Sequence, residues 1–105
     1  MILNNIADKL VYKFLSKINY GYLELTTFDG EALKFGNPND KLQANIFIKK
    51  PNFNYNLIRG GSIGFAESYM RGEFETDNLS NLIELTARNI EIIHKFSGLL
   101  DFPII

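Results

Sequence analysis

Four groups of residues in this chain offer material for binding or catalysis, and most of them fall between Gly60 and Asp77. Gly60-Gly61-Ser62-Ile63-Gly64 sets glycines ahead of helix-forming sequence, the order in which a phosphate cradle offers backbone N–H groups. The GxGxxG fingerprint is not met, no continuous apolar strand precedes it and no P-loop lysine follows, so the cluster favours a structural turn. Glu73, Glu75 and Asp77 alternate along one face of an expected strand. Such a row could supply oxygen ligands to a hard cation, and it serves as simply to charge the edge of a sheet against pairing with another chain. His94, the single histidine, has no serine, cysteine or second ligand near it with which to build a nucleophile or a metal site. Late on a helix, it favours the C-terminus electrostatically, as does Lys95. The last group is Glu67, Tyr69, Met70 and Arg71. Glu67 and Arg71 stand four apart in the favourable order for an intrahelical ion pair worth a few tenths of a kcal/mol, while a functional reading puts Glu67 and Tyr69 at the mouth of an apolar pocket.

Composition narrows the classes of function. The 105 residues suit one domain, and with 46% hydrophobic and 22% charged residues neither disorder nor a membrane span is indicated. A formal net charge of −1 argues against nucleic acid as a partner, since a large basic surface is missing. The absence of cysteine excludes disulfides, thiol catalysis and thiolate-bound zinc. No apolar run approaches the roughly 18 residues of a membrane span, and the N-terminus lacks the order of a secretory signal. A cytoplasmic location is the default expectation.

Periodicity predicts the helices and strands that carry these groups. From Met1 to Ile18 the apolar Leu3, Ile6, Leu10, Val11, Phe14, Leu15 and Ile18 recur at helical intervals, predicting an amphipathic helix. Lys9, Lys13 and Lys17 form one basic line on its flank, either plainly solvated or in contact with an anionic membrane surface. Tyr22–Thr27 and Glu31–Phe35 read as strands joined by a tight hairpin at Asp29-Gly30. Leu42–Lys49 is a third strand, with Ala44, Ile46 and Ile48 on one face, and Pro51 ends it. Phe53, Leu57 and Ile58 fit one face of a short helix. A second short helix, capped at Ser62 and running through Met70, is expected to bury Ile63, Phe65, Ala66 and Tyr69 or Met70, with Gly72 as its left-handed cap. Glu73–Thr76 returns as a strand. Asp77 or Asn78 caps a last helix with a stripe of Leu79, Leu82, Ile83, Thr86, Ala87, Ile90 and Ile93, ending at Ser97-Gly98. The fold class is therefore α+β: an N-terminal helix, a small, mainly antiparallel sheet with helices over one side, and a C-terminal helix. Residues 1–98 make one domain, and the apolar stretch 99–105 is a tail or the start of a linker to a further domain.

The segment GSIGFAESYMRGEFETDNLSNLI resembles the N-terminal domain of the cyclopropane-fatty-acyl-phospholipid synthase family of S-adenosylmethionine-dependent methyltransferases. Gly61, Ser62, Ile63, Gly64, Glu67, Ser68, Tyr69, Met70, Gly72, Phe74 and Leu79 stand in register with the family pattern. Arg71 departs from it where aspartate is usual, as does Phe74 where tryptophan is common. Gly21 to Leu25, Asp29-Gly30 and Phe35-Gly36 resemble the family more diffusely.

The resemblance implies a non-catalytic domain of sterol-carrier-protein type, whose sheet and helices enclose an apolar pocket for phospholipid acyl chains. It implies no catalytic residue and no cofactor in this chain, with S-adenosylmethionine expected on a methyltransferase domain in cis or in trans, and a peripheral position on the inner membrane face. Two other readings stand beside it: a free-standing lipid-binding module, and a structural domain that dimerises or binds protein through its apolar faces.

Overall fold

Ala7 and Val11 lie one turn apart on the first helix, α1 (Ile2–Leu15), and both are buried. In the computed structural model, which describes residues 2–92, they define the face that α1 turns inward against Ile58. Leu10, Val11, Phe14, Leu15 and Ile18 turn inward as the spacing predicts and Ala7 joins them, while Ile6 is left 51% exposed. The helix also stops three residues short of Ile18, because Lys17 N–H and Ile18 N–H donate to Phe14 and Leu15 and tighten the last turn.

The strands are β1 (Tyr22–Thr26), β2 (Ala32–Gly36), β3 (Gln43–Ile48) and β4 (Phe74–Glu75), in sheet order β2-β1-β3-β4. β1 pairs antiparallel with β2, placing Leu25 opposite Leu33, and β3 pairs antiparallel with β4. β1 and β3 are parallel, with Leu25 opposite Ile46. The sheet is thus mixed, because the chain leaving β2 crosses the start of β1 and enters β3 on its far side. Asp40 holds that crossing. Its two carboxylate oxygens accept the N–H of Leu42 at 2.9 Å and of Gly21 at 3.0 Å, and these two bonds, Leu42's first, keep the carboxyl below its ordinary pKa. The hairpin loop has three residues between Thr27 and Glu31, not two. Gly30 N–H closes a turn onto Thr27 O, and Thr27 N–H donates to Glu31 O at 2.8 Å.

Period-two alternation puts Leu23, Leu25, Ala44, Ile46 and Ile48 on one face, where they form a core with Phe53, Phe74, Leu82 and Leu85. All three helices pack over that side. The other face, with Glu24, Gln43 and Asn45, carries the polar side chains. Phe74 is the aromatic centre, 1% exposed, with the rings of Phe65, Phe53 and Tyr69 at 5.0, 5.1 and 5.5 Å. The structure is α+β as the sequence implies.

The two short helices expected between Phe53 and Met70 join as α2 (Phe53–Met70), kinked at Gly61, whose φ of 56° and ψ of −136° lie outside the range open to side-chain-bearing residues. Helix α3 (Leu79–Arg88) starts at Asn78, whose Oδ1 accepts Asn81 N–H at 3.0 Å, which settles the cap between Asp77 and Asn78. The helical stripe is interrupted at Asn89. His94, Lys95, Ser97-Gly98 and the tail 99–105 lie outside the described residues.

Candidate functional site

A cavity of about 370 Å³ lies between the three helices and the inner face of the sheet. Val11, Phe14, Leu15 and Ile18 line it from the first helix and its exit, and Leu23, Leu25 and Ile46 from the sheet. Phe53, Leu57, Ile58 and Phe65 come from α2, and Leu82, Ile83, Leu85 and Ile90 from the C-terminal helical region. Ligand pockets run from roughly 300 to 1,000 Å³ and are mostly apolar with few polar groups, so size and lining both fit. The cavity opens to solvent, so its apolar walls meet water there, and covering them with an apolar group would be favourable.

The polar groups at the wall are largely satisfied within the protein. Asn89, 4% exposed, accepts the N–H groups of Asn19 and Tyr20 and donates to the carbonyls of Tyr20 and Leu85. That uses the full capacity of a side-chain amide. Thr86 donates to Leu82 O at 2.8 Å. Asn54 donates to Asp8 Oδ1 at 2.9 Å and to the Tyr12 hydroxyl at 3.1 Å. Burial, and then the Asp8 carboxylate, raise the Tyr12 phenol above its usual pKa. The Asp8 carboxylate fixes which way the Asn54 amide faces, and Asn54 Oδ1 is the buried side-chain atom among the described residues that lacks a hydrogen-bond partner. Sequence reading missed Asn54 and Asn89 because a polar residue inside a helical pattern gives no sign of a partner some forty or seventy residues away.

The motif residues divide between wall and scaffold. Gly61 and Ser62 line the cavity at the kink of α2. Gly64 is buried behind them, where a Cβ would come within 2.9 Å of the Asn56 carbonyl oxygen. Met70 is 75% exposed, Ile63 53% and Tyr69 43%, and Ala66 and Glu67 are also exposed. Phe65 turns inward as expected, onto Phe74 and the cavity, but the rest of the expected face is corrected: the fully buried residues are Gly64 and Ser68, four apart. Small side chains let the second half of α2 lie close to its first half and to β4, with Phe65 stacked on Phe74 and Ile63 and Met70 left outside. Gly72, φ 71°, ends the helix in the left-handed conformation. Gly72 N–H donates to Tyr69 O and Glu73 N–H to Ser68 O, the paired bonds of a Schellman cap.

The carboxylates serve structure. Arg71 pairs with Glu73 at 2.9 Å, not with Glu67 as its spacing suggests. Glu73 Oε1 also accepts the Ser68 hydroxyl at 2.7 Å and the Asn56 amide at 3.2 Å. The Arg71 guanidinium first, with those two donors, pulls the Glu73 pKa down to about 2. Glu75 lies 3.6 Å from Lys49, and Asp77 accepts from Asn45 at 2.8 Å. Among the described residues no cluster of His, Cys, Asp and Glu is arranged to hold a metal ion. Gly60 to Gly64 lie inside a kinked helix, so the strand-loop-helix order of a phosphate cradle is absent. Lys9, Lys13 and Lys17 are exposed, and the Lys17 ammonium sits 5.6 Å from the centre of the Phe14 ring, itself part of the cavity wall. No described helix is long and apolar enough to cross a membrane.

A family model, a domain of unknown function (DUF7884), matches residues 10–95, and the chain belongs to that family. No curated protein and no solved structure matches the chain.

Proposed function

We propose that this DUF7884 domain holds an acyl chain of a phospholipid in the apolar cavity between its helices and sheet. In this reading it presents the chain to a cyclopropane-fatty-acyl-phospholipid synthase-like methyltransferase carried on another domain or another polypeptide. The observation that carries the reading is the cavity itself: about 370 Å³, walled by aliphatic and aromatic side chains, in a small domain that would otherwise bury them against one another. The resemblance of Gly61 to Leu79 to the synthase family supplies the reaction, and S-adenosylmethionine would be bound by that other part. The domain contributes no catalytic group. Its work is binding and orientation, with the acyl chain between α1 and α3 and the headgroup outside. Lys17, beside Phe14, and its neighbours Lys13 and Lys9 on α1 stand where phosphate of the lipid or of an anionic membrane surface would meet them. That would make the protein peripheral on the membrane.

Displacement of a fluorescent fatty acid by phospholipids of defined chain length tests this. Saturable binding near one per chain, lost when the cavity is filled by substitution, is expected. A folded domain that binds no acyl probe sinks the reading. It would shift weight to a structural or dimerising role, for which exposed Ile63, Met70 and Ile83 offer apolar contacts.

A further inference from the structure

We infer that residues 93–105 of this same chain fill the apolar cavity when no ligand is in it. Ile90 and Ile92, in the last described turn, both line the cavity, so the chain departs toward residue 93 from the cavity wall itself. The sequence beyond that point is rich in apolar residues, Ile93, Phe96, Leu99, Leu100, Phe102, Ile104 and Ile105, with Lys95 and Asp101 as its charges. Ser97-Gly98 breaks the helical pattern within two turns of that exit, and glycine there permits a reversal that returns Leu99 onward to the opening. A segment tethered this closely acts at an effective concentration of order millimolar, so a weak intrinsic fit is enough to keep it in place. The apolar cavity wall and this apolar segment then cover each other.

The inference does not depend on the acyl reading, but the two share one space, so a lipid would enter by displacing the segment.

The chain has no cysteine, so Ser62→Cys introduces a single spin-label site at the kink beside the cavity, and Glu24→Cys gives a reference site on the outer face of the sheet. In the ligand-free full chain, a label at position 62 is expected to broaden the amide signals of residues 99–105, and a label at position 24 to leave them sharp. Full intensity with the label at 62, or equal loss from both sites, overturns the inference. A second measurement needs no label. Leu100→Ser with Phe102→Ser should lower Tm by at least about 4 °C, as for buried apolar groups, and an unchanged Tm places these residues in solvent and overturns it. Palmitate then separates the two ideas. Recovery of the sharp signals on palmitate binding supports a shared cavity, and palmitate bound with the signals still broadened places the segment elsewhere and overturns it. Broadening that persists because no palmitate binds keeps the segment in the cavity and counts against the acyl reading alone.

Discussion

Asn89 and Tyr20 are joined in both directions: the Asn89 side chain accepts the Tyr20 N–H at 3.2 Å and donates to the Tyr20 carbonyl at 2.9 Å. A residue at the end of α3 thereby fixes the turn between α1 and β1, and with it the spacing of two helices that wall the cavity. Asn89→Ala would orphan these partly buried backbone groups together with Asn19 N–H. A loss of roughly 1–3 kcal/mol in urea unfolding is expected. Stability within 0.5 kcal/mol of the parent, about what surface changes give, would mean that water replaces the amide freely.

Glu73 gives a pH signature. Its folded pKa, about 2, lies below the ordinary 4.5, so its contribution is complete above about 4.5 and is lost as pH falls toward 2. Glu73→Gln keeps the shape and removes the charge. The stability gap between parent and variant should be widest near neutral pH and close as pH drops through that window. A gap independent of pH would show that the Arg71 and Ser68 contacts carry no charge-dependent stability.

Gly61→Ala forces a side-chain-bearing residue into a backbone conformation that it rarely adopts. Strain of this kind costs about 1–3 kcal/mol, read as a lowered Tm. An unchanged Tm, with helicity preserved in the circular dichroism spectrum, would mean that α2 straightens at no cost.

Ala87→Phe puts a ring at an exposed position on the cavity wall without removing any core contact. Fatty acid affinity should fall by about tenfold or more, equivalent to ~1.4 kcal/mol, while the fold persists. Unchanged affinity would place the acyl site elsewhere.

Replacing Lys9, Lys13 and Lys17 together by glutamine tests the basic flank. At about 1 kcal/mol per lysine near an anionic surface, partitioning onto phosphatidylserine vesicles at low salt should weaken on the order of a hundredfold. Equal co-sedimentation of parent and variant would leave the lysines as a solvated edge of α1.

Local spacing is the part of this fold that the sequence discloses. The alternation of Ala44, Ile46 and Ile48 marks the buried face of β3, and the Asn78 cap and the left-handed Gly72 sit where their residue types point. Long-range geometry leaves no such trace. The parallel pairing of β1 with β3 depends on a crossing pinned by Asp40, and Asp40 reads as an ordinary loop residue. The outward turn of Ile63 and Met70 follows from close packing around Gly64 and Ser68, which hydrophobicity alone weighs the wrong way. Arg71 prefers Glu73 over Glu67 because the chain reverses at Gly72 and brings that carboxylate back. The cavity is the least legible feature, since a space left between elements belongs to no residue.

The two halves of α2 meet at Glu73 and Phe74: the first reaches them through Asn56 and Phe53 and is also tied to α1 through Asn54 and Ile58, and the second reaches them through Ser68 and Phe65. Gly61 is the single joint between them, and with Ser62 it faces the cavity. The wall of the chamber at this end therefore takes its direction from one pair of backbone angles, at a residue whose conformation leaves no room for a side chain.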